Sequence, residues 1–264
     1  MPHPSTMPSV YLPHGGGPAF FMEGGMGDMF RPMGDFLAQF HRLLPATPSA
    51  ILVATAHWEA PVVTLSGGQQ PGLIYDYYGF PRETYAITYA APGAPALAEK
   101  AAALLRQAGI GVAVDPGYGW DHGVFIPLKV MYPRADIPVL AMSLKAGLDP
   151  NEHSAIGAAL RPLRDEGVLV MGSGMSYHNL GQMGNGPAAA EFDRWLDGAL
   201  SGDAAHRRGQ LARWAQAPSG RMSHPREEHL LPLMVASGAG GDAPARKLWS
   251  GAVGPTAVSA WAFD

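Results

Sequence analysis

Short runs of aliphatic residues, such as I-L-V-A-T-A at 51–56 and V-L-V-M at 168–171, alternate along the chain with longer stretches of helical period. A strand that is apolar on both sides must be covered on both sides. The alternation therefore predicts an α/β fold with a mainly parallel or mixed central sheet flanked by helices. Strands are expected at Ser9–Leu12, Ala50–Ala56, Val62–Ser66, Gly111–Asp115, Pro138–Leu144, Gly167–Gly172 and Ala257–Phe263. Helices are expected at Met29–Leu44, Pro95–Ala108, Val124–Met131, Pro150–Arg164, Ala188–Leu200, Ala204–Ala215 and Glu227–Ser237. No repeat, charge block or linker divides the chain, so it reads as one domain over residues 1–264.

The charge balance narrows the function. With 18 Lys+Arg against 22 Asp+Glu the net charge is −4. That leaves no concentrated basic excess for neutralising phosphates, so no nucleic-acid partner is expected. No stretch approaches the ~20 apolar residues of a membrane span, and no cationic leader opens the chain, so a cytoplasmic protein without a membrane partner is expected. The chain has no Cys, which removes disulfides, thiolate metal sites and Cys nucleophiles. The metalloprotease, phosphate-loop, hydrolase-elbow and dinucleotide motifs are also missing from the sequence.

Five of the ten histidines stand where a site would form. His14 ends V-Y-L-P-H, His57 ends I-L-V-A-T-A-H, and His178 follows V-L-V-M-G-S-G-M-S-Y. Ligands of open α/β sheets bind beyond the carboxyl ends of the strands, so these three imidazoles are expected to converge. His122 in W-D-H-G opens an apolar helix, and His229 in E-E-H-L-L-P-L is expected in a first helical turn. Neutral imidazole is a good ligand for Fe(II) or Zn(II), and three ligands leave positions open for substrate. His14, His57 and His229 are the expected ligand set. His3, His41, His153 and His206 are set aside as terminal, exposed or structural, and His224 as a turn residue or a supporting one.

At these residues the chain resembles a known family. The ordered set L-P-H-G-G-G-P, A-H-W-E, Y-D-Y-Y-G-F-P, Y-A-A-P-G-A-P, W-D-H-G-V-F-I-P-L, M-Y-P-x-A-D-I-P-V, G-S-G-M-S-Y-H-N-L and E-E-H-L-L-P-L resembles the class III extradiol ring-cleavage dioxygenases. These form the LigB-like superfamily, and the similarity is to its 4,5-DOPA dioxygenase-like branch. The resemblance implies a non-haem Fe(II) enzyme that opens a catechol with O2 beside its two hydroxyls, giving a muconic semialdehyde-type product. It implies His229 as the third ligand, with Glu227 or Glu228 the fallback carboxylate. It also implies His178 as acid and base, and His122 as a second proton-transfer residue.

Tyr77, with Trp58 and Phe125, is expected to line a pocket for a flat ring, whereas Phe80 reads as a packing residue. The Met- and Gly-rich segment 22–33 reads as a lid or a surface loop. No residue stands out as the partner of a substrate carboxylate or amine, because Arg82, Lys129 and Arg226 read as surface residues. Two other functions fit the same histidines: a Zn(II) hydrolase that lowers the pKa of bound water, and a non-catalytic metal-binding module. Dependence on O2 separates them from a dioxygenase. The low charged fraction of 15% is compatible with a homo-oligomer.

Overall fold

In the computed structural model, which describes residues 6–264, the apolar runs join one eight-stranded sheet. The strands are β1 (Ser9–Pro13), β2 (Ala50–Ala60), β3 (Val63–Ser66), β4 (Val112–Asp115), β5 (Val139–Lys145), β6 (Val168–Gly174), β7 (Arg246–Val253) and β8 (Thr256–Phe263). The helices are α1 (Gly25–Gln39), α2 (Pro95–Gln107), α3 (His122–Met131), α4 (Pro150–Leu160), α5 (Gly186–Leu200), α6 (Ala204–Leu211), α7 (Gly220–Ser223) and α8 (Leu231–Ala239). His3 lies outside the described residues. Among the described residues no helix is long and apolar enough to cross a membrane.

The sheet runs β4-β3-β5-β2-β6-β1-β8-β7. β5, β2, β6 and β1 are mutually parallel neighbours, while β8 pairs antiparallel with β1 and β7 with β8. The fold is therefore an α/β domain with a mixed sheet.

Side chains alternate across the central strands. Ile51, Val53, Leu169 and Met171 pack with residues of α1 and α3. Leu52, Ala54, Val168 and Val170 pack with residues of α2, α4 and α8. This two-sided burial is why these strands read as continuous apolar runs rather than alternating ones. A third cluster joins α5, α6 and α8 to Tyr11, Trp261 and Phe263.

Three local expectations change. β7 has no counterpart in the sequence reading, because it is a half-exposed edge strand whose charged start hides its pattern. α1 begins before Met29, so much of residues 22–33 is helix rather than a surface loop, with Gly27, Phe30, Met33 and Leu37 buried along one side. The last long helix starts at Leu231, which leaves His229 in the turn before it.

Candidate active site

The parallel neighbours β2, β6 and β1 bring their carboxyl ends together, and the histidines follow from there. His14 is the residue after β1. His57 lies inside the longer β2, where pairing with β5 slips between Ala54 and Glu59. Such an irregularity re-aims a side chain, so the strand carries His57 into the crevice without ending. His178 sits on the loop after β6, and His122 is the first residue of α3.

His229 is fixed by its backbone. Its carbonyl accepts hydrogen bonds from Tyr11 Oη at 2.8 Å and from the Met175 backbone N–H at 3.1 Å. The turn lies so close to β6 that a Cβ on Gly174 would meet the His229 carbonyl oxygen at 2.2 Å. A Cβ on Gly123 would likewise lie 2.8 Å from the His57 ring. The W-D-H-G glycine thus lets α3 approach β2.

The result is one cluster of imidazoles. Ring centroids of His14, His57 and His229 are separated by 4.8, 5.2 and 4.9 Å. His122 lies 3.9 Å from His57, and His178 stacks on His229 at 3.3 Å. His14, His57 and His122 offer ligand atoms within 4.8 Å of one another, and so could hold a metal. His178, Glu228 and His229 form a second such group.

Hydrogen bonding settles which nitrogen each ring presents. His14 Nδ1 lies 3.0 Å from the Gly15 carbonyl, which can only accept, so Nδ1 carries the proton. His229 Nδ1 likewise donates to Glu228 Oε1 at 3.0 Å. His57 Nδ1 faces Asp76 Oδ2 at 3.5 Å. The Nε2 atoms of His14 and His57 are 3.2 Å apart, and His229 Nε2 is buried without a partner. Imidazoles with a proton fixed on Nδ1 by an acceptor, and Nε2 open, fit a metal site.

Burial, and then repulsion from the neighbouring imidazoles, holds His14 and His57 well below the ordinary histidine pKa. Burial also lowers His229, to about 4, against the opposing pull of Glu228. These rings are therefore neutral and ready to ligate. Burial raises the Glu228 carboxyl, but bonds from the His178 and His229 imidazoles outweigh it and carry the group below the usual carboxylate range. Burial, reinforced by Asp76, pushes Asp121 up to about 6.

Asp76 is the organising residue that the sequence did not single out. Its Oδ1 accepts from both the backbone N–H and Nδ1 of His122, at 2.8 and 2.9 Å. Glu228, read from sequence as a fallback ligand, faces the Nδ1 atoms of His229 and His178 at 3.0 and 3.6 Å.

A cavity of about 820 Å³ opens onto the cluster and is lined in part by Tyr77, Phe80, Met26, Met29, Met175 and Leu180. Tyr77 is where the sequence placed it. Two other aromatics are not. Trp58 is outside the lining and stacks on Tyr118 with centroids 3.5 Å apart. Phe125 is fully buried, packed behind Tyr75 and Tyr77. Phe80, read as a packing residue, lines the cavity instead.

The set-aside histidines divide. His41 and His206 are exposed. His153 is buried, its Nδ1 donating to the Asp149 carbonyl while Nε2 accepts from Lys145 N–H. His224 is buried beneath the site, with Nε2 3.0 Å from the Ser176 carbonyl.

Comparison with known proteins identifies the family. A family model described as the catalytic LigB subunit of aromatic ring-opening dioxygenase matches residues 1–261. A 4,5-DOPA dioxygenase extradiol of Portulaca grandiflora is 39% identical over 241 residues, which are 89% of this chain and 86% of that protein. Dioxygenase tasH of Hapsidospora irregularis is 39% identical over 251 residues, 88% of this chain and 78% of that protein. The crystal structure of an uncharacterized protein from Escherichia coli K12 superposes with a TM-score of 0.79 at 29% identity, covering 98% of this chain and 100% of that one. A model match over nearly the whole chain, with relatives at this identity, places the protein in the LigB family as an extradiol ring-cleavage dioxygenase, an oxidoreductase.

Proposed function

We propose that this enzyme opens the ring of a substituted catechol with O2, using Fe(II) held by His14, His57 and His229, to a muconic semialdehyde-type product. The observation that supports the reading is the close packing of these three rings, with centroids 4.8 to 5.2 Å apart, the Nε2 atoms of His14 and His57 3.2 Å apart and the buried His229 Nε2 without a partner. An Fe(II) there would supply the electronic bridge that a singlet catechol and triplet O2 lack. Zn(II) binds the same donors and, by general affinity order, more tightly. A purified sample carrying Zn(II) is therefore compatible with an iron enzyme.

The remaining work belongs to side chains. His178 is the more exposed member of its stacked pair with His229, and its Nδ1 is turned toward Glu228. This leaves its Nε2 to take a proton from a catechol hydroxyl and return it later, as histidine can near neutral pH. His122, with Nδ1 tied to Asp76, is left with Nε2 to hydrogen-bond the substrate oxygen or O2. Tyr77 flanks the ring position, and the apolar walls exclude water.

Anaerobic loading with Fe(II), followed by O2 uptake against a panel of catechols, tests the reading. Catechol-dependent uptake with a yellow ring-opened product is expected. No uptake across the panel by iron-loaded protein overturns the proposal and returns the site to a hydrolytic or structural metal.

A further inference from the structure

Resting on the catechol reading above, we propose that the substrate carries an uncharged, apolar substituent on its ring, rather than an amino-acid side chain or a carboxylate. The cavity beside the histidines occupies about 820 Å³, more than one catechol ring fills. What lines the excess room therefore selects the substituent.

Among the described residues, no Lys, Arg, Asp or Glu lines this cavity. Arg226 pairs with Glu59 and Glu228, Lys129 donates to the Thr88 carbonyl, and neither they nor Arg82 reach the wall. Two of the three lining hydroxyls are committed, Tyr77 Oη donating to the Thr84 carbonyl at 2.7 Å and Tyr177 Oη to the Gln182 carbonyl at 2.8 Å, while the third, on Tyr78, stands at the exposed rim. Away from the imidazoles the wall is mainly methionine, aliphatic and aromatic carbon, including Met26 and Met29 on α1, Phe80, Met183 after β6 and Val253 at the end of β7. Methionine walls adapt to varied apolar shapes. The rim continues the pattern, with Met29 47%, Leu180 73% and Tyr78 90% exposed.

The glycine run at 15–17 belongs to the same design. A Cβ on Gly16 would meet Met26 Cε at 2.6 Å and the Phe30 ring at 3.0 Å. Thioether and phenyl thus occupy the space where a larger residue would stand. A carboxylate or ammonium placed here would lose hydration with no charged side chain to replace it. An alkyl or aryl group would gain by burial.

The test uses the full chain in two forms. Metal-free protein is titrated calorimetrically with 4-methyl-, 4-butyl- and 4-hexylcatechol, and with L-DOPA, dopamine and 3,4-dihydroxyphenylacetate. Iron-loaded protein is assayed for O2 uptake on the same set. Affinity is expected to tighten by about fourfold per added CH2 while the chain remains inside the cavity. The kcat/KM for 4-butylcatechol is expected to exceed that for each charged catechol.

Met29→Lys, at an exposed rim position, is expected to shift relative kcat/KM toward 3,4-dihydroxyphenylacetate by about two- to fivefold. Equal or tighter binding of the charged catechols to the unmodified protein overturns the inference. If no catechol supports O2 uptake, the dioxygenase reading fails by itself, and the metal-free titration still decides between an apolar and a charged ligand.

Discussion

His14 and His57 meet Nε2 to Nε2 at 3.2 Å, and the Gly15 carbonyl at the far side of the His14 ring denies its Nε2 the proton. Burial keeps both rings neutral. Two imidazoles held this way have a use for a cation between them. Metal binding to the folded state alone stabilises it by about 2.7 kcal/mol at a free concentration a hundred times Kd. Adding Zn(II) or Fe(II) to metal-free protein is therefore expected to raise its Tm by several degrees. His14→Ala, His57→Ala and His229→Ala should each abolish that rise together with catalysis. A variant that binds metal stoichiometrically and retains the shift removes its residue from the ligand set.

Glu228 shares one oxygen between two stacked rings, at 3.0 Å from His229 Nδ1 and 3.6 Å from His178 Nδ1. Glu228→Gln keeps the shape and removes the charge. Supporting carboxylates of this kind are worth about 10- to 100-fold in metal affinity or activity. Calorimetric Zn(II) binding should weaken by that factor, with the circular dichroism spectrum unchanged. His178→Ala should differ in kind, leaving metal bound and lowering kcat by roughly 10²- to 10⁴-fold. Unaltered turnover in His178→Ala would end its proton-transfer role.

Much of this centre was readable because its histidines sit next to elements with strong local signals. His14 and His178 follow apolar strands, and His122 starts an apolar helix. The aromatic residues misled for an equally physical reason. Trp58 follows His57 in the irregular stretch of β2 and packs into the core against Tyr118, outside the cavity lining. Phe125 lies one helical turn past His122, yet is wholly buried in the core of α3. The cavity wall was illegible because Met26, Met183 and Val253 come from remote parts of the chain, and no local period links them. Asp76 was hidden among aromatics, with nothing in its neighbours to reveal that it would meet His122.

Two glycines predict unequal costs for the same substitution. At Gly174 an added Cβ meets backbone, the His229 carbonyl oxygen at 2.2 Å, while at Gly16 it first meets the movable end of Met26 at 2.6 Å. Gly174→Ala must push the His229 turn off β6, displacing His229 and the Met175 N–H bond together. We expect it to cost upward of about 3 kcal/mol, or to prevent folding, because packed backbone has no room to yield. Gly16→Ala should cost about 1 kcal/mol and shrink the cavity at its α1 wall. Denaturant unfolding of the two variants makes the comparison, and equal losses would contradict it.

His224 gives the apoprotein a built-in acid sensitivity. The ring is fully buried between Phe192 and Trp214, its Nε2 faces the Ser176 carbonyl, and its Nδ1 has no partner. Burial lowers its pKa to about 3, against about 6.5 in an unfolded chain. Above pH 6.5 both states are neutral there, and the shift costs nothing. As pH falls below 6.5 only the unfolded state gains the proton, so folding stability declines until pH reaches the folded pKa. Between pH 7 and pH 5 the loss from this residue is about 2 kcal/mol. His153 is lowered by burial as well and acts in the same direction. Urea unfolding of metal-free protein at the two pH values should show the decline. His224→Gln should be less stable at pH 7, because its packing and hydrogen bond are disturbed, yet should lose about 2 kcal/mol less on going to pH 5. The same pH dependence in variant and parent would mean that His224 does not carry the acid sensitivity.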